Sequence, residues 1–528
     1  MEAIIFFTVL LGYSAASKQY LWIDPYDVLH ITNPLSPSVA MGKMVIRDRW
    51  IDYFNDTKFM TLATALGPSY LRVGGTFADF VHFHPESETK VSEAHYKWSN
   101  SLCRVQDRNE SIFEIHRKKA EIVEFWKSQE IMLGIWRKQD IKLSEQDWII
   151  LNSFANCAGW KLIFGLNLQM RDGDRWNCTN AKELIRFTEN LYHVNWELGN
   201  EPNSYQHKQE TELTPEQNAY AFITLKAILG NSTWWKNTKI LGPDVNNIEK
   251  SRSMTYLESF LDSAGDVLNG VTFHQYDLNG HIASLQDFIN VTNLNILAKE
   301  IFNVKTVFSR FAANKELWLG ETSAAYGGGA EGLSDTFVNG FMWLDKLGIT
   351  SVLGVDMVVR QTFFGGRYAL LDNNFDPRPD YWLTLLYKRL VGNLVLRVTI
   401  QTSEAHGNQF RVYCHCTNNM RSGYARGSVV LYFINLHHIH QRVFIGNLTN
   451  STMALSGDLF LLQPEYVGKL DSTSCCLNGV PLRMTSDDKL PFLEPRIVTS
   501  EELLKGLLIP AYSFGYLVFP KANFEICK

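Results

Sequence analysis

The chain has 528 residues, more than one compact core of ordinary size, so it holds two or more domains or one large α/β barrel with an appendage. Hydrophobic residues at 45% and aromatics at 13% exclude a disordered chain. A formal net charge of −5 gives no reason to expect nucleic acid, and leaves any polyanionic ligand dependent on a local basic patch.

The N-terminal run IIFFTVLLGYSA (4–15), followed by small residues, predicts a signal peptide over residues 1–17; it is too short to span a bilayer. Seven Asn-x-Ser/Thr triplets, at Asn55, Asn109, Asn177, Asn231, Asn290, Asn447 and Asn450, agree with export and N-glycosylation. The expected location is therefore extracellular. The segment 18–33, containing QYLWIDP, is expected to add a strand to a sheet formed later in the chain.

From residue 34 to 392, eight apolar runs alternate with helical stretches. They are Val39–Met44, Tyr70–Gly74, Leu162–Leu168, Val194–Gly199, Ile240–Val245, Val271–Tyr276, Leu317–Gly320 and Val352–Arg360. Such alternation predicts parallel strands with helical crossovers, and eight units predict a (β/α)8 TIM barrel. The charged stretch at about 100–145 has no strand pattern and reads as a helical insertion. Residues 393–528 change texture: QFRVYCHCTN, GSVVLYFINLH, RVFIGNL and SFGYLVFP are short, alternating and separated by turns, which predicts an antiparallel β-sandwich. Of the eight cysteines, Cys414 and Cys416 flank His415 in one alternating strand, where neighbours point to opposite faces. No metal site or cofactor is expected. Spacing alone does not assign disulfides.

Barrel enzymes carry their chemistry at the C-terminal ends of strands. Glu201, in VNWELGNEPNSY, ends the fourth run; Glu321, in LWLGETSAAYGGGA, ends the seventh. Two carboxylates at one barrel mouth suit glycoside hydrolysis, one as acid and the other as nucleophile. Asn200 stands beside the acid and can bond a sugar hydroxyl. His274 and Tyr276 are two apart on one strand, hence on one face, and are expected in contact with substrate or nucleophile. The glycines after Glu321 let a ligand approach backbone N–H groups.

These segments, together with YLRVGGT, FANC, GPDV and NFDPRPDYWLTLLYKRLVG, resemble the heparanase-type endo-β-glucuronidases of glycoside hydrolase family 79, from about Leu35 to the C-terminus. The resemblance implies a retaining hydrolase of internal glucuronidic bonds in heparan sulfate, with Glu201 as acid/base and Glu321 as nucleophile. It implies substrate contacts at Asn200, Thr76, Tyr276, Gln361 and Tyr368, and backbone donors at Gly327 and Gly328 for the glucuronate carboxylate. It pairs Cys416 with Cys527 and Cys103 with Cys157, and it implies lysosomal delivery besides secretion; a peripheral membrane or proteoglycan association is open to such a protein, and no oligomer is implied.

The chain departs from that pattern where the family's basic clusters flank the cleft. The segment after LGPDV reads NNIEKSRSM, with Glu249 beside Lys250 and Arg252; His281 stands for an arginine, and Val45 for an aspartate near the end of the first strand. A second basic segment survives as Arg137, Lys138 and Lys142. Fewer cations weaken attraction to sulfates, so hyaluronan or unsulfated chondroitin, substrates of the leech-type hyaluronidases of the same family, is the alternative. A non-catalytic glycan-binding homologue is the third reading. It would be expected to lose a catalytic glutamate, and this chain has both.

Overall fold

The computed structural model describes residues 16–85, 140–209, 211–402, 409–446 and 456–528. Eight parallel strands form its centre: β2 (Ser38–Gly42), β3 (Ser69–Gly74), β4 (Trp160–Leu166), β5 (Asn195–Leu198), β6 (Leu241–Val245), β7 (Gly270–Asn279), β8 (Glu316–Tyr326) and β9 (Met357–Arg360). They pair in the order β6-β7-β8-β9-β2-β3-β4-β5. A parallel bridge between Trp196 and Ile240 closes β5 onto β6. The expected barrel is thus present, and its strands read as apolar runs because both faces are covered. Ala40, Tyr70, Ile163, Leu241, Trp318, Met357 and Val359 pack one end of the lumen. The carboxyl end is lined instead by buried charge: Arg72, Glu197, Asp244 and Glu321.

Several boundaries differ from the sequence reading. The last strand starts at Met357, because Val352 ends the helix Asn339–Val352 and Gly354, at φ +76°, turns the chain. The first ends at Gly42, so Val45 is not a strand-end residue; it is buried in the short helix Met44–Arg47. Of the charged stretch 100–145, only 140–145 is described, and there Ile141–Ser144 is a strand paired with Val81–His84. Ile141 and Leu143 point inward and Lys142 outward, a two-residue alternation too short to stand out beside its charged neighbours.

The N-terminal strand β1 (Ser17–Ile31) joins the second sheet. It lies antiparallel to β10 (Val391–Thr402) and parallel to β13 (Gln441–Gly446). The sheet continues through β11 (Phe410–Thr417), β12 (Val429–Asn435), β15 (Ser513–Phe519) and β14 (Gly457–Pro464). It is antiparallel apart from the β1–β13 pair, and hydrogen bonding runs through it as one sheet of eleven strands. Val429, Leu431 and Phe433 of β12 face its own core, whereas Val430, Tyr432 and Ile434 face the barrel helices. His415 follows the same rule. It is buried against Gly392 O, Ser351 and Tyr432, while Cys414 and Cys416 face the opposite core. Cys416 is bonded to Cys527. The pairing expected for Cys103 and Cys157 involves Cys103, which is outside the described residues.

Candidate active site

Glu201 and Glu321 reach the barrel mouth by two different backbone devices. After β5, Gly199 adopts φ +76°; a side chain there would meet the Tyr205 hydroxyl at 2.6 Å. Tyr205 accepts from the Asn200 N–H at 3.3 Å and donates to Asp79 at 2.7 Å, which fixes the turn. Glu201 itself is left-handed (φ 54°, ψ 52°), an uncommon state for a residue with a side chain. Pro202 then starts a short 3-10 turn. The chain is held in this strained state by buried bonds on either side.

Glu321 is positioned by an irregularity inside β8. Phe273 pairs with Leu319, but His274 pairs with Glu321, so Gly320 is an extra residue. Without that bulge, strict alternation would send Glu321 outward to the helices. Gly320 fits because it lies against Thr272 and Asp244. The strand therefore runs through Glu321 instead of ending before it.

The two glutamates meet. An oxygen of Glu201, an oxygen of Glu321 and a ring nitrogen of His274 all lie within 4.8 Å of one another, and the three residues are buried. Tyr276 donates its hydroxyl to Glu321 Oε1 at 2.8 Å. Arg72 donates Nη1 to Glu321 Oε2 at 2.7 Å, Nη2 to Asn200 at 3.1 Å and to Asp244 at 3.0 Å, and Nε to Glu197 at 2.7 Å. Each oxygen of Glu321 thus accepts from a donor. A metal ion shared by these three groups would sit against the Arg72 guanidinium, so the donor set does not suit a cation.

The electrostatics follow from burial opposed by pairing. Burial alone would raise the Asp244 carboxyl, but Arg72 and His274 hold it below its usual range. Burial pushes Glu197 up to about 8 against the pull of Arg72, with Asp244 adding to the rise. Burial and the neighbouring charge of Glu321 keep the Tyr276 phenol protonated, hence a donor.

The other expected residues stand around the same mouth. Thr76 is half-buried in the turn after β3, next to Gly75, which backs onto Glu321. Gln361 follows β9, and its amide bonds the Tyr368 hydroxyl. The Tyr368 and Tyr276 rings are 6.4 Å apart. Gly327 and Gly328 have φ +78° and +87°, and among the described residues no acceptor takes their N–H groups. Arg367 N donates to Gly328 O, Arg378 Nη1 to the carbonyls of Gly366, Arg367 and Ala369, and Arg360 to Tyr368 O, so the facing loop is rigid. His274, expected against substrate, has Glu201 on one ring nitrogen and Asp244 near the other. Sequence reasoning gave no role to Arg72, Asp244 or Glu197. An arginine inside the apolar strand SYLRVG was a legible signal, because a buried charge needs partners.

Of the candidate glycosylation sites, Asn231 and Asn290 are exposed and Asn55 and Asn177 partly so. Asn109, Asn447 and Asn450 are outside the described residues.

Comparison with known proteins agrees with this geometry. Residues 103–348 match the N-terminal domain of glycosyl hydrolase family 79. The chain is 36% identical to a heparanase of Bos taurus, over 94% of this chain and 91% of that one. It is 30% identical to inactive heparanase-2 of Homo sapiens, covering 93% and 86%. It is also 30% identical to a hyaluronoglucuronidase of Hirudo nipponia, covering 96% and 98%. A 4-O-α-L-rhamnosyl-β-D-glucuronidase of Fusarium oxysporum shares the fold, with a TM-score of 0.62 at 15% identity over 95% of this chain and 100% of that one.

Proposed function

The chain belongs to glycosyl hydrolase family 79, and we propose that it is a retaining endo-β-glucuronidase acting on heparan sulfate, with Glu201 as acid/base and Glu321 as nucleophile. One observation carries the assignment. One oxygen of each carboxylate lies within 4.8 Å of the other, a separation that suits a retaining pair at about 5–5.5 Å better than an inverting pair at about 6.5–9.5 Å. Tyr276 and Arg72 each donate to one oxygen of Glu321 and so orient it for attack on the anomeric carbon. Glu201 protonates the leaving oxygen and later takes a proton from water. Asn200, Thr76, Gln361 and Tyr368 contact the sugar, and the Gly327 and Gly328 N–H groups receive its carboxylate.

This arrangement also favours catalysis over a purely glycan-binding role, since both glutamates and their donors are in place. Hyaluronan or unsulfated chondroitin is the second reading, favoured by the acidic neighbours of the rim cations. Lys250 Nζ is 3.9 Å from Glu249, and Arg367 Nη2 is 3.8 Å from Glu331. The cell would deliver the protein through the secretory route, to the extracellular space and the lysosome.

Glu321→Gln tests the nucleophile. It should abolish turnover while the melting temperature stays close to the parent's; near-parental activity would refute the assignment.

A further inference from the structure

His274 stands beside both members of the catalytic pair. Its Nδ1 is 3.0 Å from Glu201 Oε1. Its Nε2 is 3.4 Å from Asp244 Oδ1, an ion-pair contact. The other Asp244 oxygen accepts from Arg72 Nη2 at 3.0 Å, and Arg72 Nη1 donates to Glu321 at 2.7 Å. The contacts therefore run Glu201–His274–Asp244–Arg72–Glu321 without a break. Every member is buried; His274 is 1% exposed.

Building on the retaining reading, we infer that His274 is a positioning residue, held by Asp244, that compensates the negative charge on Glu201 once Glu321 has given up its own. In the first step a Glu321 oxygen bonds the anomeric carbon, the bond from that carbon to the leaving oxygen breaks, and the Glu201 proton moves to that oxygen. Before the step Glu321 is the anion, facing Arg72. After it Glu321 is a neutral ester and Glu201 is the anion, facing His274. Asp244 joins the two cations, so the total charge of the site is the same at both stages. In the second step water attacks the anomeric carbon, its proton returns to Glu201, and Glu321 leaves as the carboxylate.

The groups facing the imidazole support its cationic form. They are Glu201 beyond β5, Asp244 on β6, Glu321 on β8 and, farther off, Glu197 on β5; Arg72 on β3 is the opposing charge. Burial would strip the imidazole of its second proton, but the charges of Asp244 and Glu321, with the hydrogen bond to Glu201, hold its pKa up at about 10. Neutral imidazole would make a weaker contact, because hydrogen bonds between ions are shorter and roughly twice as strong.

His274→Gln keeps a donor of similar reach and removes the charge. Glu201 should then hold its proton more tightly, moving the alkaline limb of the kcat/KM profile for polymer cleavage up by roughly 1–3 pH units. A folded His274→Gln with reduced activity and an unmoved alkaline limb would overturn the inference and leave only a packing role. A second measurement needs neither variant nor turnover: 15N shifts of the His274 ring in the parent protein. Two protonated nitrogens throughout pH 5–8 would support the bridge; a ring with one bare nitrogen at pH 7 would overturn it. Failure of the parent to cut any glucuronate polymer would count against the enzymatic reading, and the ring shifts would still decide the charge of His274.

Discussion

Tyr276 and Arg72 hold opposite oxygens of Glu321: the phenol donates to Oε1 at 2.8 Å and the guanidinium to Oε2 at 2.7 Å. The nucleophile is thereby fixed in rotation as well as charge. Tyr276→Phe should therefore lower kcat, not merely weaken binding. A hydrogen bond to a charged group is worth about 1.5–3 kcal/mol, so the loss should be roughly 10- to 150-fold. Steady-state kinetics on the polymer check this, and an unchanged kcat with raised KM would contradict it.

Glu197 gives a prediction about stability. Its folded pKa, about 8, is above the value of 4.5 for a free glutamate. A raised carboxyl pKa stabilises the fold fully below the unfolded value, and that contribution is lost as pH rises from about 4.5 through about 8. Glu197→Gln mimics the protonated form and loses nothing on this count. The variant should melt close to the parent at pH 4.5 and above it at pH 8. Thermal unfolding at the two values checks the sign, and a gap that widens toward acid would contradict it.

Substrate choice rests on the rim. Because Lys250 and Arg367 each have an acidic neighbour, long-range attraction to a polyanion should be weak. Incubation with heparan sulfate, hyaluronan and unsulfated chondroitin, followed by sizing of products, should show heparan sulfate shortened, at a rate that changes little with salt. Shortening of hyaluronan alone would overturn the first choice. A steep loss with salt would reveal a basic surface beyond these two pairs.

The secretory route has a direct check. Removal of N-glycans from the protein expressed in animal cells should increase its gel mobility, because Asn231 and Asn290 lie exposed in acceptor triplets. An unchanged mobility would count against that route.

How much of this was legible in the sequence depends on what kind of fact it was. The barrel strands were visible because parallel strands covered on both faces become apolar runs. The two glutamates were visible because such strands end in polar turns. The arrangement that lets them act was not. The bulge at Gly320 is one residue in a strand whose run of apolar letters gives no sign of it. The left-handed state of Glu201 depends on Tyr205 and Asp79, the latter 122 positions earlier in the chain. His274 was read as a substrate contact because strand alternation aims it into the lumen. Asp244, on the strand next to the one that delivers Glu201, stands 3.4 Å from the other nitrogen of His274, a contact that no spacing in the sequence announces. The strand at Ile141–Ser144 was hidden by its charged neighbours.

The strand β12, with one face in the sheet's own core and the other on the barrel helices, bears on how the molecule comes apart. Tyr413 and Phe514 press so closely on Gly348 and Gly340 that a single added methyl group would collide with either ring. The chain's first strand, β1, is also sealed between β10 and β13, which are made hundreds of residues later. During synthesis the barrel is complete before the sheet that covers its helices exists, so those apolar helix faces stay open to water until the last strands arrive. A chain stopped short of them would be a substrate for chaperones, and the finished protein should lose both sheets in a single cooperative event.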